Sequence, residues 1–319
     1  MITAIGNRSQ QQIFATAVGR PAARAFSAPA ISRVGVIGLG LMGHGIAQVA
    51  AEKGFQVVAV ESENRFLDSG MKRIETSVQK LGAKAVKKGT MSESEAKAHF
   101  DATLGRVSPS LNRADLADCD LVIEAVIEDL ALKKPLYEEI GATVSDRCII
   151  ASNTSSLSIA KMAEFCGRPK QMLGLHFFNP VQLMQLVEVV RTEQTDAALF
   201  ESAFGFASAL GKKPIRCVDT EGFVVNRLLV PYLIEAIALV ERGVASPSDV
   251  DLAMKLGAGH PMGPIQLADY IGLDTVRNII SGWEGFQVPE TLEAKVVEGK
   301  LGRKSGEGFY RWDGDKLAE

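Results

Sequence analysis

The sequence contains few cysteines, and no two of them lie close together in the chain. Cys119, Cys148, Cys166 and Cys217 are spread through 319 residues without C-x-x-C spacing. Disulfide frameworks and zinc sites usually show closely spaced cysteines. The spacing favours reduced thiols buried as small hydrophobic side chains, with a metal or disulfide site as the alternative. We therefore predict no metal site.

No long apolar segment runs without interruption. The longest, residues 223–240, is broken by Asn226, Arg227, Pro231 and Glu235. A charged side chain at the centre of a bilayer costs about 3 kcal/mol, so this segment is a poor candidate for a membrane span. It predicts a core or interface helix, and we expect no membrane partner.

An excess of either charge is also missing. The net charge is −3 and the pI is near 5.9, which gives no sign of a nucleic-acid surface. A hydrophobic content of 46% and a charged content of 23% are ordinary for a soluble globular protein. At 319 residues the chain is long enough for about two domains.

Acidic residues are absent from the first 51 positions. Residues 1–32 carry Arg8, Arg20 and Arg24, with serine, alanine and glutamine between them. Such a composition is typical of a mitochondrial transit peptide, so we predict a location in the mitochondrial matrix. The stretch RAFSA suggests processing near Phe26. A disordered tail without a targeting role is the alternative, and in either case the segment is excluded from the fold.

A glycine-rich motif follows, in RVGVIGLGLMGHGIAQVAAEKGFQVVAVE. Its pattern predicts a short buried strand, a G-x-G-x-x-G turn, a helix that ends at a glycine, and a second strand that ends in an acid. In dinucleotide-binding proteins the first glycine permits a tight turn, the second admits the pyrophosphate and the third lets helix and strand pack closely. These positions are Gly38, Gly40 and Gly43.

The acid at the end of the second predicted strand indicates which dinucleotide is bound. Glu61 can accept hydrogen bonds from the adenine ribose, and its charge would repel a 2′-phosphate. We therefore predict NAD as the cofactor. Arg65 lies close enough in the chain to leave NADP as the alternative.

Strand and helix patterns continue to alternate. A helical region with several lysines is predicted from about residue 64 to residue 100, and LKKPLYEEIGATV predicts another helix. CDLVIEAVIED and RCIIASNTSS each predict a strand followed by a polar loop. This alternation predicts a mainly parallel sheet, with ligands beyond the carboxyl ends of its strands. Glu128, Asn153 and Ser155 would then face a nicotinamide, although NTSS could instead cap the following helix.

One histidine and one carboxylate lie in the two apolar segments of LHFFNPVQLMQLVEVV. Residues 174–178 and 185–190 both suit strands, and Asn-Pro between them is typical of a turn. If the chain folds back as an antiparallel pair centred near Gln182, His176 and Glu188 lie directly opposite each other. Opposed Cβ atoms are about 4.5–5.5 Å apart, so the two side chains would interact. A slip of one residue would separate them.

Such a pair could work as a general base. A carboxylate that holds one ring nitrogen stabilises the imidazolium, and the other nitrogen is free to accept a proton. A structural pair in the core is the alternative. The other histidines have weaker claims: we expect His44 to contribute to local packing, His99 to be solvated, and His260 to lie in a loop without an evident partner.

After KKPIRCVDTEGF the alternation stops, and the remaining patterns predict helices. The predicted fold is α/β: a Rossmann-type, doubly wound, mainly parallel sheet at residues 33–217, with a helical insertion at about 64–103, followed by an all-α C-terminal domain at 218–319. Asn226 lies near the start of the first helix of this domain. Its amide could hold a substrate oxygen in the interdomain cleft, or it could cap the helix.

Eight motifs in one order resemble a known family: GLGLMGHGIAQVAA, VIEAVIED, ASNTSSLSI, GLHFFNPV, LVEVV, DTEGFVVNRLLVPYLIEA, MKLGAGHPMGP and KSGEGFY. From about residue 33 to residue 312 the chain is similar to the L-3-hydroxyacyl-CoA dehydrogenases and their bacterial 3-hydroxybutyryl-CoA dehydrogenase relatives. The resemblance implies NAD-dependent, reversible oxidation of L-3-hydroxyacyl-CoA to 3-oxoacyl-CoA in fatty acid β-oxidation. It also implies a homodimer formed through the C-terminal domain.

The resemblance also implies roles for individual residues. His176 would be the base and Glu188 its partner, and Ser155 and Asn226 would hold the substrate C3 oxygen. Cofactor contacts would come from Gly38, Gly40, Gly43, Glu61, Glu128, Lys133, Ser155, Asn179 and Lys304. Contacts to the coenzyme A substrate would come from Ser77, Lys84 and Ser155. A solvated helix face is the alternative for the lysines near Lys84.

Other functions stay open at this point. At position 61 the mitochondrial members of the family have aspartate, whereas this chain has a glutamate that keeps the charge but reaches further. The alternatives are an NADP-dependent 3-hydroxybutyryl-CoA dehydrogenase, a sugar-acid dehydrogenase of the same fold, and a non-catalytic binding protein.

Overall fold

The computed structural model describes residues 30–318, so residues 1–29 of the predicted transit peptide lie outside the described residues. Eight strands form one sheet in the order β3-β2-β1-β4-β5-β6-β7-β8. Their bounds are β1 Arg33–Ile37, β2 Gln56–Val60, β3 Val107–Ser110, β4 Leu121–Glu124, β5 Ile149–Ser152, β6 Met172–Phe177, β7 Leu186–Arg191 and β8 Lys213–Val218. All neighbouring strands are parallel except β6 and β7, which pair antiparallel.

Helices cover both faces of this sheet. They are α1 Gly43–Glu52, α2 Asn64–Lys87, α3 Glu93–Leu104, α4 Leu130–Thr143, α5 Ile159–Cys166 and α6 Ala197–Ala209. One apolar core joins α1, α2 and α6 to one face, and a second core joins α4 and α5 to the other. Because both faces are buried, the strands consist largely of consecutive apolar residues.

Two features of this domain differ from the sequence-based prediction. The edge strand β3 was not predicted, because its sequence VSPS is polar and contains Pro109. An edge strand tolerates the missing N–H of proline. The helical region predicted from about residue 64 to residue 100 is two helices, and Ser92 and Glu95 form a capping box that starts the second.

The C-terminal part of the chain is helical, as predicted. Its helices are α7 Val225–Glu241, α8 Pro247–Gly257, α9 Pro264–Ile271, α10 Leu273–Ile280 and α11 Glu290–Val297. A short antiparallel pair follows, β9 Trp312–Asp313 and β10 Lys316–Leu317. Among residues 30–318 no helix is long and apolar enough to cross a membrane.

Three of the four cysteines are buried and Cys217 is partly buried, and all four are free thiols. This agrees with the prediction of reduced thiols. Within the described part of the chain, no group of three or more His, Cys, Asp or Glu side chains is arranged to hold a metal ion.

Candidate active site

The turn between β1 and α1 depends on its glycines for close packing. Gly38 has a φ of +87°, a conformation that favours glycine. A Cβ atom at Gly43 would lie 1.7 Å from the Gly38 carbonyl oxygen, so no side chain fits there. A Cβ atom at Gly40 would meet nothing within 4 Å. The turn is therefore closed on its inner side and open above Gly40.

Glu61 lies next to this turn. Its carboxylate accepts a hydrogen bond from the Leu39 amide at 2.6 Å and from the Ser62 amide at 3.2 Å. Arg65, four residues further along the chain, forms an ion pair with Glu63 at 2.9 Å. An open glycine turn beside a carboxylate, at the N-terminus of a helix, fits the pyrophosphate and ribose of a dinucleotide.

His176 and Glu188 face each other across β6 and β7 in the predicted register. His176 Nδ1 and Glu188 Oε2 are 2.7 Å apart, and both side chains are buried. The other carboxylate oxygen, Oε1, accepts hydrogen bonds from the amides of Val224 and Val225 at 3.1 and 2.9 Å. Both oxygens of the buried carboxylate therefore have partners, as a buried charge requires.

Glu188 contacts one of the two ring nitrogens of His176, and aromatic side chains pack against the ring. The His176 ring packs against the rings of Phe178 and Phe223, with centroids 4.5 and 5.7 Å away. Because Nδ1 is held by Glu188, Nε2 is the nitrogen that can accept a proton. His176 lies near the carboxyl end of β6, at the edge where the glycine turn also lies. Phe223 adopts a φ of +51°, which is uncommon for a residue with a side chain.

Three further predicted residues meet at this edge. Glu128 Oε1 accepts hydrogen bonds from the Ser155 amide at 2.8 Å and from the Thr154 hydroxyl at 2.7 Å, and the Ser155 hydroxyl lies at 3.4 Å. The Asn226 side-chain amide donates to the Ser155 carbonyl oxygen at 3.2 Å. The structure thus connects Glu128, Ser155 and Asn226 in one cluster that joins the sheet to α7.

Lys133 lies beneath this cluster rather than at its surface. Only 1% of its side chain is exposed, and its ammonium lies 2.9 Å from Glu128 Oε2 and 3.0 Å from Glu124 Oε1. Burial raises the pKa of Glu128, but the Lys133 ammonium and the donors from Thr154 and Ser155 outweigh it, so this pKa lies below its ordinary value. Glu128 is therefore a charged acceptor whose side chain is 37% exposed.

A cavity of about 700 Å³ lies between α1, α2 and the loop that joins β6 to β7. Ser77 is part of its wall, together with the cationic side chains of Lys72, Arg73 and Lys80. Lys84 is exposed on α2, one turn beyond Lys80. The cavity thus combines positive charge and hydroxyl groups, which suits an anionic ligand with phosphate groups.

Two of the residues predicted to contact the cofactor lie apart from these clusters. Asn179 is exposed just after β6, at the same edge of the sheet as His176. Lys304 belongs to the helical domain, where its ammonium forms an ion pair with Asp274 at 2.5 Å. Lys304 has no other ion-pair partner within the described residues.

Comparison with known proteins identifies the family. Residues 33–220 match the family model of the 3-hydroxyacyl-CoA dehydrogenase NAD binding domain, and residues 222–312 match that of the 3-hydroxyacyl-CoA dehydrogenase C-terminal domain. The chain belongs to the 3-hydroxyacyl-CoA dehydrogenase family. It is an enzyme of this family, and its cofactor domain binds NAD.

Relatives of this dehydrogenase come from animals and bacteria. It is 48% identical over 290 residues to the mitochondrial hydroxyacyl-coenzyme A dehydrogenase of Rattus norvegicus, covering 88% of this chain and 91% of the rat protein. It is 46% identical to a probable 3-hydroxybutyryl-CoA dehydrogenase of Deinococcus radiodurans, covering 88% and 100%. The crystal structure of M. tuberculosis FadB2 matches with a TM-score of 0.83 and 43% identity, covering 89% and 100%. The predicted fold class is confirmed.

Some polar residues of the dehydrogenase have partners that the sequence did not indicate. The helix that follows NTSS is capped by Ser158, which accepts from the Lys161 amide, so NTSS is not its cap. Asn153 uses its side-chain oxygen to accept from the Phe177 amide at 3.0 Å. His260 was expected to have no partner, but its Nδ1 lies 3.2 Å from the Tyr232 hydroxyl.

Sequence reasoning missed the buried polar residues behind Glu128. The carboxylate of Glu124 is fully buried and is contacted by Lys133, Tyr137 and Ser152. A signal was present in the sequence, because Glu124 is an ionisable residue at the end of a strand that is otherwise apolar.

Proposed function

We propose that this dehydrogenase oxidises L-3-hydroxyacyl-CoA reversibly to 3-oxoacyl-CoA with NAD, as a step of fatty acid β-oxidation, and that His176 is its general base. The observation that carries the proposal is the buried contact of 2.7 Å between His176 Nδ1 and Glu188 Oε2. The relatives named as hydroxyacyl-coenzyme A and 3-hydroxybutyryl-CoA dehydrogenases support the substrate class.

In this reaction His176 Nε2 accepts the proton of the 3-hydroxyl group while a C–H bond at C3 breaks. Bound NAD supplies the acceptor for the hydride that leaves C3. Glu188 holds the Nδ1–H and stabilises the imidazolium, so the base keeps its orientation and tautomer. Ser155 and Asn226 would donate hydrogen bonds to the C3 oxygen, each worth about 3 kcal/mol when well placed.

The choice of NAD over NADP rests on the charges near the glycine turn. The carboxylate of Glu61 already lies within 2.6 Å of the Leu39 amide, where the adenine ribose is expected. Its charge would repel a 2′-phosphate. Arg65, the side chain that could have bound such a phosphate, is paired with Glu63. These contacts support NAD.

The proposal is tested by following NADH absorbance with L-3-hydroxyacyl-CoA substrates of increasing chain length, with NAD and NADP in parallel. We expect turnover with NAD. His176→Ala should lower kcat by about 10²–10⁴-fold, the usual contribution of a general base, and should leave NADH binding intact. Near-normal turnover in this variant would remove His176 from the mechanism.

A second candidate is a short-chain 3-hydroxybutyryl-CoA dehydrogenase, including an NADP-dependent form. It is favoured by the match to the Deinococcus radiodurans protein, which this chain covers completely. Activity confined to the four-carbon substrate, or activity with NADP alone, would select it. Activity on free hydroxy acids but not on CoA thioesters would instead select a sugar-acid dehydrogenase. NAD binding without turnover of any of these substrates would select a non-catalytic binding protein.

The quaternary structure and the location of the dehydrogenase are parts of the same proposal. Exposed leucines on α7 and α8, among them Leu228, Leu252 and Leu256, support a homodimer formed through the helical domain. The acid-poor, arginine-bearing N-terminus and the 48% identity to a mitochondrial rat enzyme support the mitochondrial matrix. Import of a full-length fusion with a fluorescent protein, and loss of import without residues 1–29, would test the location.

A further inference from the structure

Glu124 is a buried carboxylate that has no part in the reaction proposed above. It is the last residue of β4, and its side chain has no access to solvent. Oε2 accepts hydrogen bonds from the Tyr137 hydroxyl and the Ser152 hydroxyl, both at 2.8 Å, and Oε1 accepts from the Val126 amide at 2.8 Å. Lys133 lies 3.0 Å from Oε1 and 3.1 Å from Oε2.

This set of donors compensates for the burial of the Glu124 carboxylate. A buried carboxylate without such partners is costly, because its charge loses hydration. Here two hydroxyl groups, one amide and one ammonium group replace the lost water. The Tyr137 hydroxyl is held as a donor, because burial and the neighbouring Glu124 charge raise the pKa of Tyr137 well above its ordinary value.

The contacts of Lys133 extend from Glu124 toward the cofactor cleft. Its ammonium lies between two carboxylates, the buried Glu124 and the partly exposed Glu128. Glu128 in turn accepts from the Ser155 amide, and the Ser155 carbonyl accepts from Asn226. A continuous series of polar contacts therefore runs from the interior of the sheet to residues at the active site.

We propose that Glu124 is a positioning residue of the cofactor site: it holds Lys133 in place, and Lys133 fixes the carboxylate of Glu128 and, through it, the Ser155 loop. The inference rests on the proposed function, and it takes Glu128 as a contact of the bound NAD, the role that the family resemblance implies. It also assigns Lys133 an indirect role, because a side chain that is 1% exposed acts on the cofactor through Glu128.

The alternative is that Glu124 and Lys133 only stabilise the fold. Replacing a buried ion pair by uncharged side chains of similar volume that pack well often leaves stability unchanged, whereas removing one partner is strongly destabilising. The two explanations therefore differ in the NADH affinity that they predict for a folded double variant. If the pair only stabilises the fold, this variant binds NADH like the wild type. Under the proposal, removing both charges restores stability but leaves Glu128 without its anchor, so cofactor binding stays weak.

The experiment uses the full chain and four variants: Glu124→Gln, Lys133→Met, the double variant of both, and Tyr137→Phe. NADH affinity is measured by fluorescence titration, stability by thermal unfolding, and the KM for L-3-hydroxybutyryl-CoA by absorbance. Glu139→Gln is the matched control. Glu139 is on α4 with Lys133 and Tyr137, but its carboxylate pairs with Arg113 at the surface. We expect the control to match the wild type in all three measurements.

We expect Glu124→Gln to weaken NADH binding about tenfold with little change in the KM for the acyl-CoA substrate. The double variant should unfold at a temperature close to that of the wild type and still bind NADH about tenfold more weakly. Tyr137→Phe keeps both charges and removes one donor, so it should weaken NADH binding about threefold; it also tests the proposal if Glu124→Gln does not fold.

Wild-type NADH affinity in a folded Glu124→Gln variant or in the double variant would overturn the proposal. A rise in the KM for L-3-hydroxybutyryl-CoA as large as the loss of NADH affinity would also overturn it. If neither of these variants folds, unchanged NADH affinity in Tyr137→Phe overturns it. The proposed function is tested separately by the wild-type chain. A wild type that binds NADH but does not turn over any acyl-CoA would refute that function without refuting the role of Glu124 in cofactor binding.

Discussion

The two carboxylate oxygens of Glu188 contact different parts of the molecule. One oxygen contacts His176, and the other accepts from the amides of Val224 and Val225, where α7 begins. Helix N-terminal amides stabilise negative charge, so these donors compensate for the burial of the carboxylate. The residue that contacts the His176 ring therefore also connects the sheet to the helical domain.

We expect Glu188→Gln to lower kcat by about 10²–10⁴-fold. A glutamine amide facing Nδ1 would donate to the ring, so Nε2 would carry the hydrogen and could not accept a proton. NADH affinity should stay within about twofold of the wild type, because Glu188 lies away from the glycine turn. Steady-state kinetics and NADH titration check this. A kcat within about threefold of the wild type would contradict the orienting role.

At the scale of the element, the turn between β1 and α1 contains one closely packed glycine and one glycine that borders open space. Gly43 touches the Gly38 carbonyl, whereas Gly40 borders open space. The G-x-G-x-x-G pattern alone assigns different tasks to these glycines, and the geometry agrees for the tight turn and for the close packing.

We expect Gly43→Ala to lower the melting temperature by about 5 °C, because overpacking typically costs about 1–3 kcal/mol. Gly40→Ala should leave the melting temperature unchanged and weaken NADH binding about tenfold, because its methyl group would occupy the space of the pyrophosphate. The two variants form a matched pair, and both are measured by thermal unfolding and by NADH titration. Equal effects of both substitutions on stability would contradict this division.

A second prediction concerns the lysines on the exposed face of α2, where Lys80 is part of the cavity wall. Lys80→Ala should raise the KM for L-3-hydroxybutyryl-CoA about fivefold, since a partly exposed ion pair is worth about 1 kcal/mol. The KM for NAD should not change. Lys88→Ala is the control, because Lys88 lies at the far end of α2 and outside the wall of the cavity. Added salt should reduce the difference between wild type and Lys80→Ala. An equal rise in the KM for L-3-hydroxybutyryl-CoA in Lys88→Ala would mean that the effect comes from the overall charge of the protein and not from the wall of the cavity.

At the scale of the whole molecule, the helical domain exposes several large apolar side chains. Leu256 is 79% exposed on α8, and Leu228 is 72% exposed on α7. These two helices contact each other, and a contiguous apolar patch on them would mark a surface that is covered in an oligomer. In a two-fold dimer each of them is used twice, so one substitution changes both halves of the interface.

We expect Leu256→Asp to convert the dehydrogenase from a dimer to a chain of 34.2 kDa, measured by light scattering after size-exclusion chromatography. Leu132→Asp is the control, because Leu132 is exposed on α4 in the cofactor domain and should leave the dimer intact. A dimeric Leu256→Asp variant, or a monomeric wild type, would contradict an interface on this face.

The sequence by itself determined those features that depend on local spacing. The glycine pattern predicted the turn at Gly38, and the distances of His176 and Glu188 from the centre of a hairpin predicted their pairing. Strand pairing has a period of two residues and helix packing has a period of 3.6, so such features follow from positions along the chain.

Only the tertiary structure decided which distant groups meet. The contact of Glu124 with Ser152, and that of Glu188 with the Val225 amide, join segments that are far apart in the sequence. The edge strand β3 likewise forms because β2 offers a partner, not because VSPS favours a strand. A buried charge can be satisfied by donors from any element that packs against it, so the choice of donor depends on packing and cannot be read from spacing.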